Sequence, residues 1–78
     1  MKIFIVSVAS PHKNGTRILA HVGDKLQSIG TKSREKAESV AKKWDGEVYS
    51  ILVDDTLRLV SKQADNIIYN EAKRIGAI

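Results

Sequence analysis

Residues 31–53, TKSREKAESVAKKWDGEVYSILV, leave the chain few ways to fold. Ala37, Val40, Ala41 and Trp44 recur at i, i+3, i+4 and i+7, which is one face of a helix. Ser33 stands where a hydroxyl can cap the first turn. Glu35 in that turn and Lys42 and Lys43 in the last complement the helix dipole. Gly46 is placed to take the left-handed position that ends a helix. Val48, Tyr49, Ile51, Leu52 and Val53 then form a strand that is apolar on both faces. Such a strand is expected inside a sheet or under a helix rather than at a wet edge.

The rest of the chain can be read around that unit. Residues 1–9 are apolar on both sides, from Ile3 to Val8, and predict a central strand. Residues 10–15 are a loop with a strong turn signal in Asn14-Gly15. Residues 16–22 return as a strand, with Ile18, Ala20 and Val22 on one face and Arg17, Leu19 and His21 on the other. Gly23-Asp24 predicts a tight turn into a short third strand at 25–29. After the organising strand, Asp54-Asp55 predicts a turn into another strand at 56–60. A rival reading starts one long helix at Asp54 or Asp55, because Leu57, Val60, Ala64, Ile67, Ile68 and Ile75 also fit helical spacing. The alternating, branched TLRLV and the capping Ser61 favour the hairpin. The final helix, 62–75, buries Ala64, Ile67, Ile68, Ala72 and Ile75 and stops at Gly76. Glu71 falls in the middle of that apolar face. It is expected to stay wet and pair with Arg74, the alternative being a buried acid with a raised pKa.

The predicted order is β-β-(β)-α-β-β-α: an α+β fold, one domain over residues 1–78, with a small antiparallel sheet and two helices packed against it. At 78 residues a single core supplies only about 3–5 kcal/mol, and without cysteine no disulfide adds to it. The lack of cysteine also excludes a thiolate nucleophile, an iron–sulfur cluster and a cysteine zinc site. The N-terminal MKIFIVSVAS breaks at Ser7, Ser10 and Pro11, which predicts a core strand rather than a signal peptide. No stretch nears the roughly 20 apolar residues of a membrane span. A cytoplasmic protein, of a cell or an infected host, is expected.

Catalytic and metal chemistry find little footing. His12 and His21 could be combined with Ser7, Ser10 or Asp24 into a triad on paper, but no motif fixes their geometry. His12, His21 and Asp24 lack a recognisable ligand spacing, and neither glycine-rich phosphate-loop pattern is present. The sequence predicts no enzyme, no cofactor and no metal.

Charge is the stronger signal. Residues 1–43 carry nine lysines and arginines against three acids, whereas residues 44–78 carry four against six. A basic first half suits an anionic partner, either nucleic acid or an acidic protein surface. On the first helix, Lys32, Lys36 and Lys43 cluster on one flank with no acid at helical spacing, while Glu38 and Lys42 on the other are spaced to pair. That basic flank reads either as a solvated face or as an anion-facing stripe. With Lys13 and Arg17 it makes the candidate partner-binding set. Phe4, Trp44 and Tyr49 are assigned to the core, leaving Tyr69 as the exposed ring, so nucleic-acid binding would be electrostatic and weakly selective.

The hairpin followed by TKSREKAESVAKKW and GEVYSI resembles small phage-encoded accessory proteins, anti-CRISPR proteins among them, over roughly residues 16–53. The resemblance implies a non-catalytic inhibitor or adaptor that blocks a host nucleic-acid-handling complex. A small protein contacting phosphates directly is the alternative, and a homodimer through an exposed strand edge is a third reading.

Overall fold

The computed structural model describes residues 1–22, 28–59 and 61–78. Strand β1 (Lys2–Ala9) is central, as its two-sided apolar pattern predicts, and is flanked by β2 (Arg17–Leu19) and β3 (Glu47–Leu52). Both neighbours run antiparallel to it, in the order β2-β1-β3. The helices are α1 (Arg34–Trp44) and α2 (Lys62–Arg74). The molecule is therefore the expected α+β domain, a three-stranded antiparallel sheet with two helices.

The pleat of β1 assigns one helix to each face. Ile3, Ile5 and Ser7 point to the α2 side, where Ala64, Ile68 and Ala72 join Leu19, Ile29, Ile51 and Val53 in one buried cluster. Val6 and Val8 point to the α1 side and pack with Val22, Ala37 and Ala41. With both faces covered, β3 can be apolar on both sides and still lie at an edge. The sequence placed it inside the sheet or under a helix rather than at a wet edge. It packs on both faces, with Ile51 buried and Val48 half-buried, but its outer side is an edge of the sheet and Leu52 is 76% exposed.

The second predicted hairpin does not form. Asp54 closes a local turn instead, its carboxylate accepting from the Thr56 N–H at 2.8 Å and hydroxyl at 2.6 Å, while Leu57 N–H donates to the Asp54 carbonyl at 3.0 Å. Leu57 and Leu59 then pack singly against the core rather than in a ladder. The rival long helix fails as well, because Ser61 caps α2 by accepting from Ala64 N–H at 3.1 Å. The predicted strand at 25–29 lies mostly outside the described residues, and its last two positions, Ser28 and Ile29, are not strand.

Both helices close with the same motif, an N–H bonding five residues back past a left-handed residue. In α2 that residue is Gly76, as predicted, and Ala77 N–H reaches the Ala72 carbonyl at 2.8 Å. In α1 it is Asp45, at φ 53°, and Gly46 N–H reaches the Ala41 carbonyl at 2.8 Å. Gly46 was expected in that conformation but serves another purpose. A Cβ there would stand 2.7 Å from both the Ser7 carbonyl oxygen and Val8 Cγ1, so the glycine lets the chain leave α1 hard against β1.

Candidate interaction surface

Trp44 is the last residue of α1. The helix lies on the sheet through Ala37 and Ala41, small residues that bring it close, and the indole at its end finds no room underneath. It is 61% exposed, a correction to its expected place in the core. Beside it runs a groove of about 390 Å³ along β2, lined by Val8, Pro11, Ile18, Ala20 and His21. Ile18, opposite Val8 on β1, is 38% exposed. Lys43 Nζ stands 5.4 Å from the Trp44 ring centroid, a cation–π contact.

The five predicted cations do not form one site. Lys43 stands over the Trp44 ring that borders the groove, and Lys13 is exposed in the loop that also supplies Pro11 to it. Lys36, exposed in the first turn of α1, lies two turns from Lys43 on the same flank. Lys32 precedes the extended N-cap Ser33, outside the helix whose last turn carries Lys43. Arg17 belongs to the opposite face. Its Nε donates to Ser7 Oγ and its Nη2 to the Ser7 carbonyl, both at 2.8 Å. Ser7, fully buried, in turn donates to the Ala77 carbonyl at 2.5 Å. Arg17 therefore ties β2, β1 and the chain after α2 together and is not a free cation.

The remaining titratable groups serve the fold. Glu71 is bound through both carboxylate oxygens by Arg74, at 2.7–3.2 Å, as the sequence predicted. That guanidinium holds the Glu71 carboxyl below its ordinary pKa, and Glu71 raises that of Arg74. The hydrogen bonds from Thr56 lower Asp54. Tyr49 donates to Glu47 at 2.8 Å, which raises the phenol. Glu38 takes its partner from Arg34 at 3.0 Å. Of the groups sketched for catalysis, Ser7 is committed to Arg17 and Ala77, Ser10 Oγ accepts from His12 N–H at 3.2 Å, and Asp24 lies outside the described residues. Among the described residues no cluster of three or more metal-ligating side chains is assembled, and no helix is long and apolar enough to cross a membrane.

Sequence reasoning missed Trp44 and the groove. The signal was present in the α1 face itself: a large ring at the end of a row of small residues, next to the helix stop, has little to pack under. Compared with protein-family models, curated proteins and solved structures, the chain matches none of them.

Proposed function

We propose that this chain is a non-catalytic binding protein, an inhibitor or adaptor that occupies an acidic, nucleic-acid-binding-competent surface of a partner complex, with Trp44 as its anchor. One observation carries the reading: an indole 61% exposed, beside an apolar groove and under a lysine. Exposed tryptophan is the residue type most enriched where binding energy concentrates, and a cation such as Lys43 beside it favours acidic partners and speeds encounter. The resemblance of residues 16–53 to phage accessory proteins supports the choice of partner class. The test is an affinity pull-down from host lysate, with and without nuclease, comparing the wild type with Trp44→Ala and Lys43→Ala. A partner that survives nuclease and is lost with Trp44→Ala is the expected result. Retention of the same partner by Trp44→Ala overturns the reading.

A second reading gains from the same ring. Single-stranded nucleic acid is bound by aromatic platforms flanked by cations, and Trp44 with Lys43 supplies one such platform. A gel shift with generic DNA and RNA at about 50 and 200 mM salt decides this, since phosphate contacts weaken by orders of magnitude over that range. No shift at the lower salt removes it.

A further inference from the structure

Strand β3 carries backbone groups that the fold leaves over. Val53 N–H donates to the Met1 carbonyl at 2.9 Å and the N-terminal ammonium donates to the Val53 carbonyl. With Ile3 opposite Ile51 and Ile5 opposite Tyr49, the odd residues of β3 are the ones that exchange bonds with β1. Val48, Ser50 and Leu52 therefore turn their N–H and C=O groups outward. Among the described residues no backbone bond reaches that side. Val22 N–H bonds the Ser28 carbonyl, and Thr31 pairs with Phe4 on the β2 side of β1.

The strand itself carries little of the usual edge protection. EVYSIL contains no proline and no lysine, its register with β1 is unbroken by a bulge, and its one charge, Glu47, sits at the start. A groove of about 550 Å³ runs beside it, lined by Ser50, Ile51 and Leu52 of β3 and by Glu71, Arg74 and Ile75 at the end of α2.

We propose that a second copy of this chain pairs with β3, antiparallel, about a two-fold axis at Ser50. The three outward-facing residues are symmetric about that position, as an isologous contact requires. In this register Ser50 meets Ser50, Val48 meets Leu52 and Tyr49 meets Ile51, so all three outward-facing residues are paired within the strand, while Glu47 falls opposite Val53 just past its end. Centring on Tyr49 instead sets Leu52 against Gly46, and centring on Ile51 sets Val48 against Asp54, so either shift leaves an outward-facing residue beyond the partner's strand. A foreign peptide would gain the same backbone bonds, but this match of a strand to its own reverse favours the chain itself. The product is one continuous six-stranded sheet, β2-β1-β3-β3-β1-β2, with a Trp44 groove beside each outermost strand. The two grooves then bind as a linked pair, with avidity beyond either alone.

The pairing is independent of the function proposed for Trp44, and its test uses the full chain. Analytical ultracentrifugation should find a dimer that dissociates on dilution. Leu52→Lys and Ser50→Pro should both be monomeric with unchanged circular dichroism, whereas Trp44→Ala should remain dimeric. If Ser50→Pro fails to fold, Leu52→Lys, which alters an exposed side chain, carries the test. Because the chain has no cysteine, Ser50→Cys reads the register directly. Facing residues about 5.5 Å apart fall within disulfide reach, so mild oxidation should link two copies faster than it links Glu47→Cys. A monomeric wild type, or a dimer unaffected by Leu52→Lys, overturns the proposal, and so does equal crosslinking at the two positions.

Discussion

The two faces of the sheet are built differently. Beneath α2 the layer is deep and closed: Ile3, Ile5 and Ile68 are fully buried, and the chain after the helix returns to cover Ser7 through Ala77. Beneath α1 the layer is thin, made of valines against Ala37 and Ala41, and it ends in an indole left in solvent. Small residues bring α1 close to β1 but provide no volume in which to bury Trp44. One face thus holds the structure together and the other presents a surface.

The sharpest way to break that contrast is to excavate the closed face. Ile68→Ala should cost about 2–5 kcal/mol, the range for deleting a fully buried aliphatic side chain. Chemical denaturation with fluorescence detection measures it. A loss below about 1 kcal/mol would mean that the α2 layer collapses around the hole and is not the better packed of the two.

On the thin face the sensitive point is the glycine. Gly46→Ala drives a methyl to 2.7 Å from the Ser7 carbonyl oxygen, a backbone atom that cannot step aside. Overpacking of this kind costs about 1–3 kcal/mol. Asp45→Gly, one residue earlier, should be neutral or slightly stabilising, since it relieves a non-glycine residue of its left-handed conformation. The opposite ranking, with Gly46→Ala silent, would return Gly46 to the merely conformational role its sequence position suggested.

These two neighbours show what was legible in the chain and what was not. The helices, both serine caps, the stop after α2 and the Glu71–Arg74 pair follow from spacing and local chemistry, and all are present. The exchange of roles between Asp45 and Gly46 was not legible, because it depends on where a strand 38 residues earlier passes. The failed strand at 56–60 has a similar cause: TLRLV alternates well, but it follows an aspartate whose side chain closes a turn before any ladder can start. Arg17 was read as a surface cation because no local pattern reveals that a buried serine waits for it across the sheet.

Ser7→Ala probes that buried contact. It removes the donor to Ala77 and the acceptor for Arg17, leaving both partners short of a bond, at a cost of about 1–3 kcal/mol. Arg17→Ala should then add less in the Ser7→Ala background than in the wild type, because the two share one network. Strict additivity in a double-mutant cycle would show that Arg17 is free after all and restore it to the basic surface.

Acid should loosen the α2 layer before the α1 layer. Glu71 lies on α2 and Asp54 in the segment leading to it, and hydrogen bonds depress both pKa values. A carboxyl depressed in the folded state adds stability that is fully present above its unfolded value, about 4, and is lost as pH falls through the folded one. Stability should therefore hold through the neutral range and decline only below about pH 4. Glu71→Gln should make that decline shallower. Thermal melts across pH measure both, and a decline that begins near neutrality would point to a different titrating group.

The smallest expected effect on stability is the one that most directly tests the division of labour. Trp44→Ala removes the largest side chain in the molecule, yet the ring is 61% exposed and its neighbour contact is an exposed cation–π pair with Lys43. Exposed substitutions of this kind stay within about 0.5 kcal/mol. A phenylalanine at the same position should keep partial binding with unchanged stability, since it retains an aromatic face over the groove. Because Trp44 is the only tryptophan, its fluorescence reports the site without labelling. In the free protein the emission should lie near that of solvated indole, and it should shift to the blue when a partner covers the groove. If Trp44→Ala instead costs as much stability as Ile68→Ala, the indole belongs to the core, the α1 face is as closed as its counterpart, and the contrast drawn between the two faces fails.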